Sequence, residues 1–139
     1  MNDPAGGGPV VLLIDDDAAN RQLLDVLLRR EGIVPVCAET GADGLARARE
    51  RAPDLILLDV FLPGEDGFAL LEAIKSDSGL SGVPVVMFTV LGQEKGRRRA
   101  LERGACAYVM KPFDMNRTVA LIRRLLSGEQ RCAEVGVDP

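Results

Sequence analysis

Five polar residues stand directly at the ends of short apolar runs. Asp15 and Asp16 follow VVLLI, Asp59 closes LILLD, Thr89 follows VVMF, and Lys111 follows AYVM. Three carboxylates gathered in one pocket repel one another unless a cation lies between them. A hard divalent ion such as Mg2+ accommodates that set, because it takes few carboxylates and keeps water and phosphate oxygens in its shell. An ammonium and a hydroxyl beside it suit the oxygens of a phosphoryl group. A carboxylate that accepts the phosphoryl becomes an aspartyl phosphate. Asp15 and Asp16 are adjacent and read as a ligand pair, whereas Asp59 stands alone and reads as the nucleophile. The chain has no histidine, which removes Ser-His and Cys-His nucleophile pairs and the most common zinc ligand. A metal here is therefore oxygen-bound, Mg2+, Mn2+ or Ca2+ in preference to a soft ion.

This chemistry needs elements that bring the five residues together. Val10 to Ile14 reads as strand one, Ile33 to Cys37 as strand two, Leu55 to Leu58 as strand three, Val85 to Phe88 as strand four and Ala107 to Met110 as strand five. Short, unbroken apolar runs are the mark of parallel strands buried on both faces. Helical spacing fills the intervals. Helix one spans Ala18 to Glu31, with Leu23, Leu24, Leu27 and Leu28 inward and Gly32 as its stop; helix two opens at Thr40 and Gly41, with Leu45, Ala48 and Ala52 as its apolar face. Helix three turns Phe68, Leu71 and Ile74 inward; helix four runs from about Gln93 to Arg103; helix five runs from Asp114 to Ser127, with Val119, Ile122 and Leu126 on one face. The alternation predicts an α/β fold, a doubly wound five-stranded parallel sheet of order 2-1-3-4-5. Pro35 cannot donate to a sheet ladder, so strand two belongs at an edge. Strands one, three and four are then central, and their carboxyl ends carry Asp15, Asp16, Asp59 and Thr89, with Lys111 on the next strand. In such sheets ligands bind beyond the carboxyl ends of the strands.

At 139 residues the chain fits one domain, expected over 10–128, with a Gly/Pro-rich leader at 1–9 and a tail or linker remnant at 129–139. A formal charge of −4 gives no electrostatic case for nucleic acid. No run approaches membrane-span length and no signal peptide is evident, so the expected location is the cytoplasm. Cys37, Cys106 and Cys132 form no CxxC and read as reduced thiols. Between Gln93 and Arg103, five basic residues outnumber Glu94 and Glu102. A solvated helix face is the default reading, and a docking surface for an acidic partner is the alternative.

LLIDDD, LILLDVFLPGEDG, VVMFTV and YVMKPF, in this order and at these separations, resemble the receiver domain of bacterial two-component response regulators. The resemblance covers about Val10 to Gly128 and implies the flavodoxin/CheY-like (βα)5 fold. It implies Asp59 as phosphoacceptor, Asp16 as a direct Mg2+ ligand, Asp15 as an acid reaching the ion through water, and the Phe61 backbone carbonyl as a further ligand. It further implies Lys111 as the phosphate-binding lysine, a cis peptide before Pro112, and Thr89 with Tyr108 as a switch pair. The implied partners are a histidine kinase or histidine phosphotransfer protein upstream, and a downstream protein or a lost effector domain. A homodimer through helix four, strand five and helix five is a further implied contact. The chain is expected either to stand alone or to be part of a longer protein.

Two features depart from the family pattern. Val90 replaces a small residue, and Phe61 and Leu91 are apolar where some members carry polar side chains that help water attack. Slow autodephosphorylation is the expected result. Two rivals are weighed against this switch. One is an interaction module of the same fold that works without phosphorylation. The other is a Mg2+ phosphohydrolase of the haloacid-dehalogenase type, which would carry an acid where Phe61 stands. The expectation is therefore a self-phosphorylating receiver, not a turnover enzyme.

Overall fold

A computed structural model describes residues 7–62, 64–89, 94–110, 115–129 and 132, with backbone only at 61, 89, 94, 95, 110 and 115. Its sheet strands are β1 (Val10–Ile14), β2 (Val34–Ala38), β3 (Leu55–Asp59), β4 (Val85–Thr89) and β5 (Ala107–Met110). The helices are α1 (Ala18–Arg30), α2 (Gly41–Glu50), α3 (Gly67–Ser76), α4 (Glu94–Glu102) and α5 (Met115–Ser127). All pairings within the five-stranded sheet are parallel, and the spatial order is β2-β1-β3-β4-β5. Pro35 lies on an edge strand as expected, opposite Val11.

Successive residues of a strand point to opposite faces, so unbroken apolar runs build two cores. Leu12, Ile14, Ile56, Leu58, Val85, Met87 and Tyr108 face α2, α3 and α4, which contribute Ala48, Phe68, Leu71, Ile74 and Ala100. Val11, Leu13, Leu55, Leu57, Val86, Phe88 and Val109 face α1 and α5, which contribute Leu24, Leu28, Val119, Leu121 and Ile122. Fully burying such a side chain is worth about 1.5–3 kcal/mol, so the two cores hold the strand ends against the repulsion of charges gathered there.

Several local readings shift. Strand two runs one residue later than expected, and α2 stops at Glu50, leaving Ala52 outside the helix and exposed. Leu23 is 45% exposed, because Leu24 and Leu28 are the positions α1 turns to the sheet. The basic face of α4 is partly engaged with α3. The Arg99 guanidinium lies 4.1 Å from the Phe68 ring centroid, and Arg103 pairs with Glu72 at 2.9 Å. Cys106, at the entry to β5, forms a disulfide with Cys132 beyond α5, with Cα atoms 4.6 Å apart. This corrects the reading of three reduced thiols for two of them. Helix α5 brings the chain back to the edge where β5 begins, a closeness that a separation of 26 residues does not reveal. Cys37 remains a free thiol.

Candidate functional site

Register places the acids before any side chain is considered. Ile14 is paired with Leu58, so Asp15 leaves β1 beside Asp59, and Asp59 is paired with Phe88, one residue before Thr89. Thr89 is in turn paired with Met110, the residue before Lys111. The result is a cluster in which one carboxylate oxygen each from Asp15, Asp16 and Asp59 lie within 4.8 Å of one another. Asp15 is completely buried and Asp59 is 5% exposed, while Asp16 faces solvent. The donor set is all oxygen and carries three formal negative charges, which fits a hard divalent cation that retains open positions.

The first turn of α1 organises Asp15. Its Oδ1 accepts the Asp17 N–H at 3.0 Å, and its Oδ2 accepts a hydrogen bond from Asn20 Nδ2 at 3.2 Å. Arg21 donates from Nη1 to the Asp15 carbonyl oxygen at 2.7 Å and from Nη2 to Glu39 at 3.4 Å. Asp17 caps α1 by accepting from the N–H groups of Ala19 and Asn20, the helix-start role its position suggests. Asn20 and Arg21 did not stand out in the sequence. The available signal was two polar residues in the first turn of a helix that follows an acidic strand end.

Beyond Asp59 the chain turns sharply. The Val60 N–H donates to the Phe88 carbonyl at 3.0 Å, and the Val60 carbonyl accepts from Gly67 N–H at 3.1 Å. A Cβ at residue 67 would lie 2.5 Å from that carbonyl oxygen, so only glycine fits. Phe61 and Leu62 pair antiparallel with Asp66 and Glu65 in a short hairpin that follows β3. Glu65 reaches away and accepts the Gly41 N–H at the start of α2 at 2.9 Å, and Asp66 caps α3 through Phe68 N–H. The Phe61 backbone thus lies two residues beyond Asp59, with Val60 between them. Tyr108 lies on the edge strand β5, is 3% exposed and belongs to the core on the α2–α3–α4 face. The Thr89 side chain and residues Val90, Leu91, Lys111 and Pro112 lie outside what the structure describes.

The response regulator receiver domain model matches residues 11–123. The phosphate regulon transcriptional regulatory protein PhoB of Escherichia coli K12 is 38% identical over 110 residues, covering 79% of this chain and 48% of PhoB. The transcriptional activator protein PfeR of Pseudomonas aeruginosa is 43% identical over 114 residues, covering 78% of this chain and 36% of PfeR. The chain thus spans about half or less of these relatives' length. A solved CheY-like receiver domain protein from Methanospirillum hungatei superimposes with a TM-score of 0.81 at 29% identity, covering 88% of this chain and 96% of that one. The Vibrio cholerae chemotaxis protein CheY4 gives 0.79 at 26% identity, covering 85% and 98%.

Proposed function

We propose, from the premise that this chain belongs to the response regulator receiver domain family, that it is a switch charged at Asp59. The observation that carries the proposal is the meeting of the Asp15, Asp16 and Asp59 carboxylates within 4.8 Å at the ends of two central strands. Asp15, Asp16, Asp59 and the Phe61 carbonyl would hold Mg2+, which when bound neutralises charge on phosphoryl oxygens. An Asp59 carboxylate oxygen attacks the phosphorus of a phosphohistidine on a partner kinase or phosphotransfer protein. The P–N bond breaks, and the imidazole leaves with its electron pair. Asp59 is buried between β1 and β4, so the phosphoryl would enter from the carboxyl-end side of the sheet. Lys111 would pair with the phosphoryl oxygens, and Thr89 would donate a hydrogen bond to one of them.

Attack by water on the acyl phosphate resets the chain slowly, so it modifies itself and does not turn over a pool of substrate. The signal leaves through the face formed by α4, β5 and α5, toward a downstream protein, an effector domain or a second copy. A cytoplasmic setting follows from a kinase partner that uses ATP. Among the described residues no helix is long and apolar enough to cross a membrane. The test is Mg2+-dependent formation of a hydroxylamine-sensitive acyl phosphate, expected in the wild type and absent in Asp59→Asn. Equal labelling of both proteins would defeat the proposal.

A further inference from the structure

Helix α4 crosses β5 closely at a residue that has no side chain. A Cβ built on Gly96 would lie 2.5 Å from Tyr108 Oη and 3.2 Å from Tyr108 Cζ. The first distance is shorter than real Cβ contacts, and the second is tighter than most of them. One helical turn on, Ala100 is fully buried in the same core as Tyr108, and residues four apart share a helix face. Helix α4 therefore presents a glycine and an alanine to the strand that carries the tyrosine. A phenol ring is rigid and moves as one body about two side-chain torsions. It cannot yield locally to a methyl group at residue 96.

We infer that Gly96 sets the position of Tyr108. The missing Cβ is the notch that receives the phenol end, and it keeps the ring inward as a property of α4–β5 packing. The inward ring therefore does not wait for Asp59 to be charged. The consequence for signalling rests on the receiver proposal, because Tyr108 lies on the strand at the centre of the output face. Residue 96 then decides which form of that face a partner meets in the uncharged protein. A side chain at 96 must either swing the ring toward solvent or lift α4 from the strand.

The chain has one tyrosine and no tryptophan, so its tyrosine emission reports on Tyr108 alone. In the full, uncharged chain, Gly96→Ala is expected to raise acrylamide quenching of that emission several-fold and to lower Tm. The direction of the Tm change is diagnostic, because replacing glycine by alanine within a helix ordinarily stabilises it. In a Tyr108→Phe background, which removes Oη, the same substitution is expected to cost much less Tm. Unchanged quenching together with an unchanged or raised Tm would overturn the inference. Should Gly96→Ala fail to fold, recovery of the fold in Gly96→Ala/Tyr108→Phe supports the notch, and continued failure counts against it. Acyl-phosphate formation is assayed separately. A chain that forms none, yet exposes Tyr108 in Gly96→Ala, keeps this inference and loses the signalling proposal. A chain that is phosphorylated while Gly96→Ala leaves Tyr108 shielded and Tm undiminished has the opposite outcome.

Discussion

Asn20 donates from Nδ2 to Asp15 Oδ2 at 3.2 Å, tying the first turn of α1 to the most deeply buried acid of the cluster. With the Asp17 N–H on Oδ1 at 3.0 Å, it holds the carboxylate plane in one orientation. Groups that orient metal ligands without touching the metal typically contribute about 10–100-fold in affinity. Asn20→Ala is expected to weaken Mg2+ binding by about tenfold on that scale, with the fold intact. Calorimetric titration reads the loss, and an unchanged affinity would show that Asp15 needs no such support.

The gathered carboxylates are expected to make stability depend on Mg2+. In a chelator, Asp59→Asn removes one of three mutually repelling charges and is expected to raise the unfolding midpoint above wild type. With Mg2+ at a hundredfold its Kd, wild type should gain about 2.7 kcal/mol, and the variant clearly less. Denaturant unfolding with and without Mg2+ tests both signs. A wild type indifferent to Mg2+ would contradict the cluster's role.

Thiol chemistry should separate the three cysteines. Burial raises the Cys37 thiol above its ordinary pKa, and the nearby Asp25 carboxylate adds to the effect. Its thiolate fraction near neutral pH is small, and the thiolate is the reactive form. Oxidised protein is therefore expected to show a single, slowly labelled thiol, and reduced protein two more. Opening the Cys106–Cys132 bridge should cost about 3 kcal/mol, the scale of a short closed loop. Reducing compartments would hold it open. Three rapidly labelled thiols in untreated protein would argue against the pairing.

Asp77 gives a pH dependence of known sign. A hydrogen bond from Arg49, then the Gly79 N–H, holds its carboxyl below the ordinary value of 3.8. Its folded-state pKa lies below its unfolded value, so the stabilisation is complete above the unfolded pKa and fades as pH falls through the folded one. Asp77→Asn is thus expected to lower Tm slightly near neutral pH and to make no difference at the acid extreme. The pair sits at the surface, with Arg49 largely in solvent, so the effect is small. A gap between the two proteins that widens on acidification would refute the assignment.

The lifetime of the proposed acyl phosphate should respond to the apolar residues that the receiver resemblance sets beside it. Phe61→Asn and Val90→Ala are each expected to speed loss of the acyl phosphate by about tenfold, equivalent to about 1.4 kcal/mol of barrier. Loss of label after removing the donor gives the rate directly. A wild-type lifetime of seconds, unaffected by either substitution, would remove the case for a shielded site.

The sheet and its acidic rim were legible along the chain because each depends on local pattern. A parallel strand covered on both faces must be an unbroken apolar run, so VVLLI, LILLD and VVMF declare themselves, and each ends where chemistry is expected. Pro35 announced its edge through a missing donor. What the sequence by itself determined was therefore the order of elements and the placing of Asp15, Asp16 and Asp59 at neighbouring strand ends. Tertiary structure decided the rest. Which way α1 rolls, exposing Leu23 and aiming Asn20 at Asp15, depends on packing against the sheet. So do the seat of Tyr108 against Gly96, the Arg99–Phe68 contact and the Cys106–Cys132 bridge. Each is a contact between residues remote in sequence or on separate elements, and helical periodicity specifies a face but not what that face will meet.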